Sequence, residues 1–156
     1  NALVEPSDAY NKTIRWSVVN GSGVAAISNS GHGTTGQLFA GKNGTVEVIA
    51  TSAESGISSE PFLITISGQV GPAAPAGIYT TNETYEGAKD GTLINVSPSQ
   101  EYQRLGDDEN SWTRITGSVV TGLAPGVYRV RIAGTETAYA GAPTEWMTIE
   151  PGLPPQ

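Results

Sequence analysis

The chain has 156 residues, no cysteine, 8 basic against 15 acidic side chains and a formal charge of −7. A net anion is a poor phosphate-backbone binder, because nucleic-acid affinity is built on Lys and Arg that displace counterions; without Cys there is no disulfide framework, no Cys zinc site and no thiol nucleophile. A hydrophobic content of 37% at low charge is too high for disorder, and no apolar run approaches the ~20 residues that cross a bilayer as a helix, so a folded, soluble, β-rich chain without membrane insertion or a nucleic-acid partner is expected. Asn1-Ala2-Leu3, with no Met and no signal-peptide apolar stretch, reads as the start of a piece of a longer polypeptide.

Helical periodicity is nearly absent. Period-two alternation bounded by Gly, Asn, Ser and Pro recurs instead. Residues 13–18 place Ile14, Trp16 and Val18 on one face and Thr13, Arg15 and Ser17 on the other. Segments 24–28 and 37–40 are short and apolar, between Gly-rich turns. Residues 45–51 alternate Val46, Val48 and Ala50 against Thr45, Glu47 and Ile49, and residues 61–67 carry Phe62, Ile64 and Ile66 on one side. The uncharged, breaker-rich stretch 68–75 reads as a semi-extended linker.

A second set of strands follows. Residues 92–96 are short and β-branched, and 101–105 and 112–116 flank the acidic turn Gly106-Asp107-Asp108-Glu109-Asn110. Residues 118–121 precede the turn Gly122-Leu123-Ala124-Pro125-Gly126. Residues 127–133 alternate Tyr128, Val130 and Ile132 against Val127, Arg129 and Arg131, and 145–150 form the last strand. The Pro-rich residues 151–156 read as a tail. An internal echo joins the halves: the Gly-led strand at Gly44 resembles the one at Gly126, and Ile64-Thr65-Ile66 resembles Met147-Thr148-Ile149, at offsets of 82 or 83 residues. Each half thus closes on a Gly turn, a long alternating strand and a final strand, as small antiparallel sandwiches do.

The first half resembles a bacterial immunoglobulin-like group 2 domain. The residues that carry this are Val4-Glu5-Pro6-Ser7-Asp8-Ala9, Asn11 through Ser17 with Trp16, Asn20 with Val24-Ala25-Ala26-Ile27, and Gly41 with Gly44 through Ser52. Two departures stand out: the strand that normally precedes the Pro is missing or reduced to residues 2–5, and the Gly-rich segment 30–36 is longer than a tight turn. The second half is similar to Ig-like or fibronectin type III-like repeats of bacterial surface proteins, on Asp90-Gly91-Thr92-Leu93-Ile94, Glu101-Tyr102, Trp112-Thr113 and residues 121–131, with the order Gly-Leu-x-Pro-Gly-x-Tyr-x-Val-Arg. The resemblance implies secreted or wall-attached bacterial modules that act as spacers, adhesion units or accessory domains of glycan-active enzymes.

Little in the chain looks catalytic. The single His, His32, lies in Gly31-His32-Gly33 and reads as an exposed loop side chain, since a general base needs a positioned partner. No Gly-x-Ser-x-Gly elbow is present. Asp107, Asp108 and Glu109 lack the alternating spacing of a calcium loop and read as a solvated hairpin tip. Five Asn-x-Ser/Thr triplets begin at Asn11, Asn20, Asn43, Asn82 and Asn95; given the bacterial resemblance they read as an accident of an Asn- and Thr-rich surface. Trp16, on the face of Ile14 and Val18, is the expected buried anchor of the first half, and its truncation to Ala should cost roughly 3–5 kcal/mol. If Met147 and Ile149 face the core, Trp146 faces out beside Arg129 and Arg131. These three form the candidate ligand or partner contact, because exposed Trp stacks on sugar rings and Arg donates to hydroxyls and carboxylates. Coverage of the Trp by the Arg stems is the competing arrangement.

The expected architecture is all-β, with two tandem immunoglobulin-like antiparallel β-sandwiches: residues 1–67 as the group 2 domain, 68–75 as linker, 76–150 as the fibronectin-like domain and 151–156 as tail. The expected role is a non-catalytic spacer or adhesion unit of a bacterial secreted or cell-surface protein, without cofactor or metal. Its expected partners are a host or cell-wall glycan, a surface protein, or other domains of the parent chain. The alternative is a carbohydrate-binding accessory module of a glycan-active enzyme.

Overall fold

The computed structural model describes residues 2–29 and 33–154; His32 lies outside them. The described residues contain no helix. The chain divides into two compact units, Asn1–Val70 with Glu136–Ala138, and Gly71–Thr135 with Tyr139–Gln156. The division falls inside the stretch expected to link the halves. Gln69 exchanges two hydrogen bonds with the Asn43 side chain in the first unit, whereas the Pro72 carbonyl accepts from Ala142 N in the second.

The first unit has five strands: β1 (Ile14–Asn20), β2 (Val24–Asn29), β3 (Gly36–Lys42), β4 (Gly44–Ser52) and β5 (Phe62–Ile66). They form two antiparallel sheets, ordered β1-β4-β5 and β2-β3. β4 is central because its alternation is cleanest: Val46 and Val48 are 1% and 6% exposed, while Glu47 between them points to water. Val46, Ala25 and Ile66 form the packed core, with Val18, Leu38 and Ile64 against it. The tight β3–β4 connection needs glycine at 44: φ is +130°, and a Cβ there would meet the backbone of Ser22 and Gly23 at 2.4–2.7 Å.

The sandwich is filled at that end and open at the other. A cavity of about 740 Å³ is lined by Ile14, Trp16, Ile27, Leu38, Val48 and Phe62 among others. Trp16 therefore departs from its expected role. It is half-buried, lies outside the packed cluster, and its buried indole N–H has no hydrogen-bond partner among the described residues. The reason is geometric: alternation set its face correctly, but the indole borders the cavity and lies against Gly36, so closely that a Cβ at 36 would be 2.7 Å from Trp16 Cδ1 and Cγ.

The second unit has seven strands: β6 (Tyr79–Thr81), β7 (Gly91–Ile94), β8 (Gln100–Arg104), β9 (Thr113–Arg114), β10 (Val119–Leu123), β11 (Gly126–Ile132) and β12 (Met147–Ile149). Two antiparallel sheets, β10-β7-β6 and β12-β11-β8-β9, enclose Leu93, Val96, Ile115, Leu123, Tyr128, Val130 and Ile149. The short β6 has no counterpart among the expected strands. The internal echo reappears as register: Gly44 pairs with Ile66 and Val46 with Ile64, as Gly126 pairs with Ile149 and Tyr128 with Met147. The Pro-rich end is tied down. Glu83, 5% exposed, accepts Gly152 N on one carboxylate oxygen and Lys89 N on the other, and Leu153 bridges Tyr85 in parallel.

Two predictions follow from this packing. Gly36→Ala should destabilise the chain by about 1–3 kcal/mol through overpacking against Trp16, and Trp16→Ala should remove that penalty; urea unfolding of the two single variants and the double variant measures the coupling. Asp90 accepts both the Thr84 hydroxyl and the Thr84 backbone N–H, and these bonds hold its carboxyl below the usual carboxylate range. A depressed folded pKa gives stability that is present above the unfolded value near 4 and lost as pH falls through the folded value. Asp90→Asn should flatten that acid limb in melts followed downward from pH 5.

Candidate functional site: an arginine–tryptophan face

The alternation of β11 buries Tyr128 and Val130, 3% and 0% exposed, so Arg129 and Arg131 emerge on the opposite side of the sheet. Register places Gln103 opposite Arg129 and Glu101 opposite Arg131 on β8. Because Tyr128 pairs with Met147 and Tyr102 with Thr113, the residues just before the outer strands, Trp146 and Trp112, complete the Arg129 row at its two ends.

The side chains in this row engage one another. The Arg129 guanidinium lies 4.5 Å from the Trp146 ring centroid and 5.2 Å from that of Trp112, and Arg131 lies 3.8 Å from the Trp112 centroid. Arg131 Nε donates to Glu101 Oε1 at 2.6 Å. Gln103 Oε1 accepts from Arg129 Nε and Nη2 at 3.0 and 2.6 Å, while its Nε2 donates to the carbonyls of Asp108 and Glu109 at 2.8 and 3.1 Å. Gln103 is 3% exposed although it sits on the outer face of the sheet; it is covered by the groups it binds. A fully paired buried amide holds its neighbours in place, because leaving any of them unpaired costs more than the bonds contribute.

This network also orders the acidic turn. Its carbonyls at 108 and 109 point in at Gln103, Asp107 accepts Arg104 N, and Asp108 accepts Asn110 N in an Asx turn. Among the described residues no group of three or more His, Cys, Asp or Glu is placed to hold a metal. On the core side, Tyr102 and Tyr128 pack with ring centroids 6.3 Å apart. The Tyr128 hydroxyl donates to the Ala124 carbonyl at 2.8 Å, and burial raises its pKa.

All three residues singled out from sequence, Trp146, Arg129 and Arg131, lie on this one face. Sequence reasoning missed Gln103 and did not assign a face to Trp112. The signal for Gln103 was its alternation with Tyr102, readable only once β8 was known to lie beside β11. The face has no nucleophile–base pair, and its chemistry is that of stacking and hydrogen bonding. Trp146 remains 40% exposed, with one side of the indole occupied by Arg129. No protein-family model, curated protein or solved structure matches the chain.

Gln103→Ala should destabilise the second unit by about 1–3 kcal/mol, since two carbonyls and a guanidinium lose their partner together. The same variant should change Trp fluorescence, as Arg129 is released from between the two indoles; denaturant melts with emission spectra check both.

Proposed function

We propose that the chain is a pair of non-catalytic immunoglobulin-like modules from a bacterial secreted or cell-surface protein, acting as a spacer or adhesion unit. The observation that carries the reading is the self-engagement of the Arg129 row: the side chains best suited to ligand recognition are spent on one another. Support for the Ig-like part comes from the second unit's sheets, β10-β7-β6 facing β12-β11-β8-β9, and from the Tyr128–Ala124 bond. A Tyr hydroxyl returning to the backbone a few residues upstream is the tyrosine corner of such sandwiches. In this reading the first unit is the group 2 module and the second the fibronectin-like one. Their partners are a surface protein or neighbouring domains of the parent chain.

A carbohydrate-binding accessory role is the second reading. It is favoured by the 40% exposure of Trp146 beside a guanidinium that can donate to sugar hydroxyls. Titration of the whole chain against a panel of host and bacterial wall glycans separates the two. A spacer gives no saturable binding, and Trp146→Ala and Arg129→Ala leave every trace unchanged. Saturable binding that disappears in either variant overturns the spacer reading in favour of the accessory role.

A further inference from the structure

The first and last strands of the second unit lie side by side. β6 is the edge of one sheet and β12 the edge of the other, and hydrogen bonds between these two segments close the sandwich along that side. Thr80 Oγ1 donates to the Thr148 carbonyl at 2.9 Å, and Glu150 N donates to Asn82 Oδ1 at 3.0 Å. Just beyond, Glu83 N donates to the Glu150 carbonyl at 3.1 Å and Glu86 N to the Leu153 carbonyl at 2.9 Å. Gly152 N donates to Glu83 Oε2 at 3.3 Å. The partners advance together along both segments, so the two run in the same direction, and the Tyr85–Leu153 bridge is parallel. Upstream, the bond from Ala142 N to the Pro72 carbonyl keeps the same alignment.

Direction decides how such a contact answers to tension. The chain enters the second unit at Gly71, upstream of the first segment, and runs on past Leu153 at the downstream end of the second. In parallel segments those are opposite ends. A pull along the chain therefore slides one segment past the other, and the bonds between them must give way together. In an antiparallel pair the same pull would open them one at a time. Each segment is held from behind by its own sheet, β6 by β7 and β12 by β11, so the contact between them is where the sheets would part. Two details fit a loaded contact. Glu83 is buried, and its carboxylate fastens Gly152 N on one oxygen and Lys89 N on the other; carboxylate acceptors make stronger hydrogen bonds than neutral ones. Pro151 falls between the donors at 150 and 152, where alternation turns the backbone N–H position away from β6, so the proline removes no bond.

We propose that the contact between β6 and β12 is a shear clamp, and that the second unit bears tension along the chain. This goes beyond the spacer or adhesion reading and rests on it for its use, since a chain is pulled only when it is fixed at one end and holding at the other. The resistance to force is measured without that reading.

The chain has no cysteine, so pairs of introduced thiols define where force is applied to the full chain. Handles on Ala73→Cys and Pro154→Cys, both exposed positions, load the clamp in shear. Handles on Glu86→Cys and Pro154→Cys sit at one end of it and peel the segments apart. In optical tweezers at equal loading rate, the first pair should need roughly twofold more force than the second, because the bonds break together in one case and singly in the other. Asn82→Ala or Thr80→Val should raise the unfolding rate under shear about two- to tenfold, the effect of one hydrogen bond lost from the clamp. Ile115→Val, in the core but on neither segment, should lower stability in urea melts and leave the shear force unchanged, because its contacts are still formed when the clamp breaks. Equal forces for the two handle pairs, or a loss of shear force in Ile115→Val as large as in the clamp variants, overturns the clamp and leaves the spacer reading standing. The glycan titration tests that reading separately, and binding there would not alter the measured forces.

Discussion

Val46 on β4 and Val130 on β11 are 1% and 0% exposed, and each sits on the middle strand around which its unit is assembled. In a chain without cysteine no disulfide contributes, and the withdrawal of such side chains from water, at ~25 cal/mol per Å² of apolar surface, is the dominant favourable term. The period-two pattern of β4 and β11 then dictates what happens on their other faces. Whatever alternates with the buried valines must emerge on the outside, so the position of the polar groups follows from the burial of the apolar ones. Arg129 is outward because Tyr128 and Val130 are inward, and its partner on β8 is set by the same register.

That dependence explains why the second unit's polar face is structural as well as exposed. A β-sheet face turned to water usually carries independent charged side chains, and isolated surface pairs contribute little. Here Gln103 converts the face into a connected layer by joining a guanidinium on one side to the carbonyls of the acidic turn on the other. The two indoles close over Arg129, which removes water from the bonds beneath and strengthens them. Gln103 makes four of these bonds at once, so strand, guanidinium and turn are held as one unit.

The fold class and most strands were legible in the sequence because alternation is a local property. Trp146, Arg129 and Arg131 were placed on one face from pattern alone, since Met147 and Ile149 fixed the phase of β12 and Tyr128 that of β11. Three things were not legible, for different reasons. The strand β6 is only three residues long, too short for periodicity to register. Gln103 looked like any surface amide, because its worth comes from a turn five and six residues away in sequence and from a different strand. Trp16 had the correct face and the wrong environment; phase tells which side a residue lies on, but how well that side is covered depends on strands elsewhere in the chain.

The two units therefore differ in how fully their described interiors are covered. Among the described residues the first has five buried apolar side chains, Ile14, Ala25, Val46, Val48 and Ile66, while the second adds aromatic Tyr128 and the large, fully covered Leu93, Ile115 and Ile149. Small domains recover little more free energy from burial than ordering the backbone costs, so an unfilled end weighs heavily on a unit of this size. The unsatisfied Trp16 indole and the exposed, inward-phased Phe62 mark the same end of the same sandwich. Both line one cavity of the first unit together with Ala2, Leu3 and Val4, so the cover of that end weighs on the stability of the whole unit.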